Sequence, residues 1–192
     1  MSFCLPRSFY NRPTLTVARE LLGAVLVRVE NGVRIAGSIT ETEAYVGESD
    51  LACHAKAGIT PRTRIMYGEP GKAYIYFNYG MHWMLNAVTE AEGFPAAVLI
   101  RAIQPLEGIE IIASRRENQP RAKWTDGPGK LAQALNIDKS FNGVDLCSTE
   151  SGLWIEAGER IADERVATSP RVGINSVPEP WKSKSWRFLL ID

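Results

Sequence analysis

The stretch ETEAYVGESDLACH places two carboxylates, an aromatic ring and a histidine close together in the chain. Glu41, Glu43 and Tyr45 alternate along the end of a predicted strand, and by this parity they share a face with Ile39. His54, one of only two histidines, follows shortly after. A solvated strand edge would explain the pattern. A carboxylate held beside an aromatic wall would also explain it, and that arrangement suits general-base chemistry on a flat substrate.

Arg101 is a second candidate for chemistry, because it lies inside the apolar strand PAAVLIRAIQP. A charged side chain among apolar neighbours is costly unless it is paired. We therefore predict a Glu43–Arg101 pair. In a pocket, such a pair can hold a water whose proton the carboxylate accepts, and a purely structural ion pair is the alternative.

Tyrosines dominate the predicted hairpin KAYIYFNYGMHWMLNAVT. Tyr74 and Tyr76 share one strand face, and with Tyr45 they are either core aromatics or stacking surfaces for a planar ligand. Stacking of a nucleobase on an aromatic ring is worth about 1–3 kcal/mol. Tyr79, near the hairpin tip, either folds back onto the sheet or acts as a wedge between DNA bases in the minor groove.

Positive charge is concentrated locally in a chain whose net charge is zero, with 22 basic and 22 acidic residues. The net charge therefore does not indicate a nucleic-acid-binding protein. Between His54 and Gly80, however, Glu69 is the only acidic residue against four basic ones, which are Lys56, Arg62, Arg64 and Lys72. A solvated loop explains this run as well as a phosphate-facing surface does. Lys130, in the loop GPGK that opens a predicted helix, allows the same two interpretations.

Length and composition favour one α+β domain over residues 1–192. Asn31-Gly32 between two alternating stretches predicts a tight β-hairpin. Further strands are interspersed with helices, including one over Leu15 to Leu22 and another in LEGIEIIASRRE. This pattern predicts a curved, mainly antiparallel sheet with flanking helices and a protruding hairpin. Three scattered cysteines predict reduced thiols in a cytoplasm and no zinc site, and no apolar run is long enough to span a membrane.

Four ordered motifs resemble the alkyladenine (3-methyladenine) DNA glycosylases, in their compact bacterial form. They are ETEAYVGESDLACHAKAGITPRTRIM, GKAYIYFNYGMHWMLN, VLIRAIQPLEG and GPGKLAQALNI. The resemblance spans Leu21 to Ile137, and it is weaker in RVGI and RFLLID, which we take to be strands. It implies hydrolysis of the N-glycosidic bond of alkylated or deaminated purines, without a metal or cofactor.

The resemblance also implies a role for individual side chains. Glu43 corresponds to the general base and Arg101 to the arginine that helps hold the water. The base pocket would consist of Tyr45 as one wall, His54 and Tyr76 as the other, and Asn86 crowding the 2-amino group of guanine. Tyr79 would intercalate with Met81 beside it, and we expect Arg62, Arg64 and Lys130 to contact the DNA backbone. No lysine occupies the expected nucleophile position, which predicts base excision without strand cleavage.

Two departures from the family pattern affect the DNA-facing side. His82 replaces an expected aromatic, and the loop between His54 and Thr60 is one residue shorter. The expected partner is duplex DNA containing damaged purines, bound by a monomer. Two other functions remain open, a non-catalytic minor-groove binding module and an RNA-modifying enzyme. The minor-groove module would explain Tyr79 and the basic run, but it would give Glu43 and Arg101 no task.

Overall fold

The computed structural model describes residues 4–78 and 80–191, so that the predicted wedge Tyr79 lies outside the described residues. Its strands are β1 (Val25–Glu30), β2 (Val33–Val46), β3 (Ala73–Asn78), β4 (His82–Val88), β5 (Ala96–Glu107), β6 (Leu153–Glu156), β7 (Val166–Ser169) and β8 (Arg187–Leu190). The α-helices are α1 (Arg7–Tyr10), α2 (Thr14–Glu20), α3 (Ile109–Arg115) and α4 (Pro128–Ala134).

The strands form one eight-stranded sheet in the order β3-β4-β5-β2-β1-β6, with β8 beside β2 and β7 beside β8. Every pairing is antiparallel. The long strand β2 pairs with β5 along one edge, while its other edge pairs first with β1 and then, at Glu41–Glu43, with β8. The prediction of a single α+β domain built on an antiparallel sheet is confirmed.

The predicted tight turn joins β1 to β2. Glu30 pairs with Val33, and Asn31 and Gly32 between them have φ of 51° and 77°. Both central residues of a type I′ turn need positive φ, which explains the choice of Asn-Gly. The predicted helix in LEGIEIIASRRE is shorter than expected, since β5 continues to Glu107 and α3 begins only at Ile109.

Helices cover one face of the sheet and form the main core with it. Ile35, Ile39, Val98 and Ile100 belong to this core, together with residues of α2 and α4. The Thr42 hydroxyl also points to this side, because it donates to the carbonyl of Ala18 in α2 at 2.7 Å. We call this side the helix-covered face.

Two bulges change which residues share a face. The β2–β5 ladder is irregular between Ile39 and Glu41 and again between Glu41 and Thr42, leaving Thr40 and Arg101 without direct partners. Ile39 contacts the main core, yet Thr42 and Ala44 lie on that same side. The parity argument that placed Ile39 with Glu41, Glu43 and Tyr45 is therefore wrong for Ile39. A bulge inserts a residue and re-aims its neighbours, and simple alternation cannot detect it.

Candidate active site

The opposite face of the sheet holds a cavity of about 410 Å³. Its floor follows one row of side chains across four neighbouring strands. In this row Tyr74 pairs with Asn86, Asn86 with Leu99, and Leu99 with Glu43. Directly opposed residues on adjacent strands have Cβ atoms about 4.5–5.5 Å apart. The antiparallel register thus brings residues from distant parts of the chain into one floor.

Loops and short 3-10 helices build the walls around this floor. The segment from Leu51 to His54 forms one side, and Val172 to Val177 forms another. Pro128, the first residue of α4, reaches the rim. Tyr45 and Tyr76 line the cavity together with Arg101. We call this side of the sheet the cavity face.

Glu43 lies beneath this lining with a fully buried side chain. Its Oε1 accepts the Val172 backbone N–H at 2.7 Å, and its Oε2 accepts the Tyr45 hydroxyl at 2.8 Å. Burial raises the pKa of Glu43, while Arg101 and the two hydrogen bonds oppose that rise. A carboxylate of raised pKa that is still held by donors has the character of a general base.

The predicted Glu43–Arg101 pair is present, and Arg101 has Glu41 as a second and closer partner. Its Nε lies 2.6 Å from Glu41 Oε1 and 3.4 Å from Glu43 Oε1. Glu41 Oε1 also accepts Arg187 Nε from β8 at 2.6 Å. Burial lowers the pKa of Arg101, but the carboxylates of Glu43 and Glu41 outweigh it and raise that pKa overall. Arg101 therefore stays charged at the cavity beside two carboxylates.

The aromatic residues named from the sequence do converge on the cavity. The His54 and Tyr76 rings meet edge to face with centroids 4.5 Å apart, and the Tyr74 and Tyr76 centroids are 5.5 Å apart. His54 Nδ1 is 2.9 Å from the Tyr74 hydroxyl oxygen. Burial, and then the nearby Arg62 and Lys56, lower the pKa of His54 to about 4. His54 is therefore a neutral imidazole near pH 7.

Asn86 is buried at the centre of the floor. Its Nδ2 donates to the Tyr74 carbonyl at 2.9 Å across the β3–β4 pair. This bond fixes the side chain, and the residue lines the cavity. The position agrees with a role in crowding a bound base, and that role stays a prediction.

The predicted DNA-facing residues take several different positions. Met81, at the hairpin tip, is 68% exposed. The guanidinium carbon of Arg62 lies 5.0 Å from the Tyr76 ring centroid, and one of its nitrogens lies 3.3 Å from His54 Nε2. Arg62 thus supports the pocket wall. Arg64 is exposed, and Lys130 Nζ is 2.6 Å from Asp126 Oδ1.

His82, one of the two departures from the family pattern, packs against the start of α4. A Cβ built on Gly129 would lie 2.7 Å from His82 Cγ. Gly129 therefore leaves the space that the imidazole occupies. This contact joins the tip end of the β3–β4 hairpin to helix α4, which carries Lys130.

Sequence reasoning missed the residues that secure the far wall. Arg171 and Asp50 form a fully buried ion pair with nitrogen–oxygen distances of 2.5 and 2.9 Å. Val172, the donor to Glu43, follows Arg171 directly. The motif RVGI was taken for a strand, but Arg171 and Val172 lie outside the strands of the sheet. No local pattern marks these residues, because Asp50 and Arg171 lie far apart in the chain and meet only in the fold.

Two structural features are absent from residues 4–78 and 80–191. No group of three or more His, Cys, Asp or Glu side chains is placed to hold a metal ion. No helix in that part of the chain is long and apolar enough to cross a membrane.

The sequence of the chain matches a known protein family. Residues 8–192 match the methylpurine-DNA glycosylase (MPG) family. The chain belongs to this family and is a DNA glycosylase of base excision repair, whose substrate is DNA.

Relatives match over most of their own length and are provisionally named 3-methyladenine DNA glycosylases. The protein from Methanocella arvoryzae is 48% identical over 188 residues, covering 96% of this chain and 90% of the relative. Those from Myxococcus xanthus and Chlorobaculum parvum are 46% and 47% identical, covering 98% and 93% of this chain and 90% and 85% of the relatives.

Proposed function

We propose that this protein excises alkylated purines such as 3-methyladenine from duplex DNA. A water activated by Glu43 attacks the sugar carbon of the N-glycosidic bond, and the damaged base leaves, so that an abasic site remains. The observation that carries this proposal is the buried Glu43 carboxylate, held by Tyr45 and Val172, which both line the aromatic cavity. Deaminated purines are a further predicted substrate class.

The cavity supports a mechanism in which the damaged nucleotide leaves the base stack. A base inside a duplex hides its sugar carbon, and extruding it costs a few kcal/mol, least where damage weakens pairing. The rings of Tyr45 and Tyr76 offer stacking surfaces for the extruded base. Alkylated purines such as 3-methyladenine are cationic, which favours stacking on electron-rich rings and makes them good leaving groups. Tyr79 is still our predicted wedge for the vacated space.

Glu43 has the chemistry that water activation needs. Each carboxylate oxygen can accept more than one hydrogen bond, so Oε2 can accept a water as well as the Tyr45 hydroxyl. The raised pKa moves Glu43 towards the pH at which proton transfer from water is favourable. Arg101, charged and adjacent, is placed to hold the same water.

The cavity also supports hydrolysis without strand cleavage. Cleavage of the backbone by an amine nucleophile would need a free lysine at the reacting carbon. Lys56 is the lysine on the described lining, and its ammonium donates to the Leu51 carbonyl at 2.8 Å. We therefore expect an abasic product with an intact strand.

The test is single-turnover release of free base from alkylated duplex DNA by the protein and by Glu43→Gln. The variant keeps the shape but lacks the base, so its rate should fall by about 10²–10⁴-fold while it still binds lesion-containing duplex. Glu156→Gln is a matched control, since Glu156 is a buried carboxylate on β6 outside the cavity lining.

A near wild-type rate in Glu43→Gln would overturn the mechanism. Binding of duplex without any base release by the unaltered protein would favour the non-catalytic minor-groove module. Release from alkylated RNA in preference to DNA would favour an RNA-modifying enzyme. The monomeric state and the cytoplasmic location both stay predictions.

A further inference from the structure

The Arg171–Asp50 ion pair is completely buried, with neither side chain exposed. Burying two charges is costly, and apolar replacements of such pairs are often no less stable. Stability alone therefore explains this pair poorly. Its hydrogen bonds and ring contacts instead connect three segments that surround the cavity.

Arg171 contacts the cavity wall through both its hydrogen bonds and its guanidinium plane. One terminal nitrogen donates to the Ala44 carbonyl at 2.9 Å. The guanidinium carbon lies 4.7 Å from the Tyr45 ring centroid and 5.0 Å from that of Trp186. Arg171 therefore fixes the plane of the ring whose hydroxyl donates to Glu43.

Asp50 fixes the chain on the other side of the pair. Its carboxylate accepts the backbone N–H groups of Val46 at 3.2 Å and Ala52 at 3.0 Å. These bonds shape the loop between the end of β2 and His54. The ion pair thus joins the end of β2, the loop to His54 and the loop that presents Val172.

We propose that Arg171 and Asp50 are a positioning pair that holds the Tyr45 ring and the Val172 N–H against the Glu43 carboxylate in the geometry needed for water activation. Neither residue touches the reacting atoms, and both act through Glu43. The inference therefore rests on the proposed function of Glu43 as the base. It goes beyond that function by assigning a task to two residues outside the lining.

The pair should influence the acid side of the pH–rate profile. The hydrogen bonds from Val172 and Tyr45 both lower the pKa of Glu43, so losing them raises it further. The charged and titratable groups that face Glu43 from the surrounding strands are Glu41, Tyr45, Tyr76, Arg101 and Arg187. None of these is altered by substitutions at residues 50 and 171. A shift of the acid limb of the pH–rate profile in such variants would then result from loss of the hydrogen bonds donated by Tyr45 and Val172.

The experiment uses the double variant Asp50→Asn/Arg171→Gln, which removes both buried charges and leaves neither unpaired. Its single-turnover rate of base release should be measured against pH, with thermal unfolding to verify the fold. The matched control is Arg34→Gln/Glu156→Gln, which removes a bidentate pair with distances of 3.0 and 2.8 Å on the β1–β2–β6 side of the sheet.

We expect the double variant to lose up to about 100-fold in plateau rate, because slight misplacement of catalytic groups has such effects. Its acid limb should move up by about one pH unit, while the control keeps the wild-type limb. If the double variant folds and its acid limb lies at the wild-type pH, the positioning role is wrong, whatever plateau rate the variant has. If the double variant does not fold, Arg171→Lys, which keeps the charge but not the planar fork, is judged by the same criterion.

The outcome is separable from failure of the proposed function. If Glu43→Gln excises at the wild-type rate, Glu43 is not the general base, and the positioning role fails with it. If Glu43→Gln is inactive but the double variant keeps the wild-type acid limb, Glu43 remains the general base. Only the positioning role of Arg171 and Asp50 is then disproved.

Discussion

The two faces of the sheet use the same strands for opposite purposes. On the helix-covered face, Leu85, Val98 and Ile100 pack against α2 and α4 with the other members of the main core. On the cavity face, the residues that alternate with them include Tyr76, Asn86 and Leu99. One face is closed by apolar packing, and the other is kept open by rings and hydrogen bonds.

The difference shows how an open pocket can be stable in a protein of this size. The larger apolar cluster lies on the helix-covered side. The cavity side has a smaller one, which includes Cys53, Met66 and Tyr74, and it can also carry a buried carboxylate and unfilled space. Its walls depend on this smaller cluster and also on specific polar contacts, such as those of Asp50 and Arg171. Substitutions on the two faces should therefore affect different measurements.

Ile100→Ala should give the largest effect on stability. The side chain is fully buried in the main core, and truncating such a residue costs about 2–5 kcal/mol in the free energy of unfolding. Urea denaturation measures this loss. Below the unfolding transition, the rate of base release should be unchanged, although Arg101 is the next residue. A variant that loses this rate but keeps full stability would contradict the division of roles between the two faces.

Tyr76→Ala should weaken binding of lesion-containing duplex by about 1–3 kcal/mol, the value of one base stacked on an aromatic ring. Phe77→Ala is the matched control, because Phe77 is the next residue on β3, faces the other way and is 46% exposed. Its ring stacks near Trp83, at 4.6 Å between centroids. Equal losses of affinity in the two variants would mean that the cavity face has no special part in binding.

The pH dependence of base release should have one acid limb. The rate needs the Glu43 carboxylate, whose raised pKa means that activity falls as pH drops through a value above the ordinary glutamate pKa of about 4.3. His54, with its pKa lowered to about 4, should add no step between pH 5 and 8. A second step in that range that disappears in His54→Gln would show that His54 titrates during the reaction.

Asn86→Ser should give the smallest effect, a change in selectivity. Shortening the side chain makes room at the cavity floor, so excision of guanine lesions should rise relative to adenine lesions by about tenfold. Parallel single-turnover assays on the two substrates measure the ratio. Asn78→Ser, altered on the same lining at the end of β3, should leave the ratio as it is.

Local patterns predicted the parts of the molecule that local chemistry determines. The turn at Asn31-Gly32, the alternation of Tyr74 and Tyr76, and the shared face of Glu43 and Tyr45 all follow from strand geometry and turn preferences. The fold class followed from the same patterns. The family resemblance then named the residues that the structure brings around one cavity.

Other features required the folded chain. The arrangement in which Glu41 accepts from both Arg101 and Arg187 forms only when β8 pairs with β2. The Arg171–Asp50 pair depends on a loop whose position no periodicity encodes. Bulges escape prediction for a related reason, since they interrupt the alternation on which the prediction rests.

The paired bulges at Thr40 and Arg101 compensate for each other in the strand register. They lie on neighbouring strands, and the pairing of Ile39 with Ile103 and of Thr42 with Ile100 is consistent with one extra residue in each strand. The two extra residues offset each other, so the strands keep one register on either side of them. Arg101 is thus accommodated at the cavity while the strand pairs on either side of it keep their register.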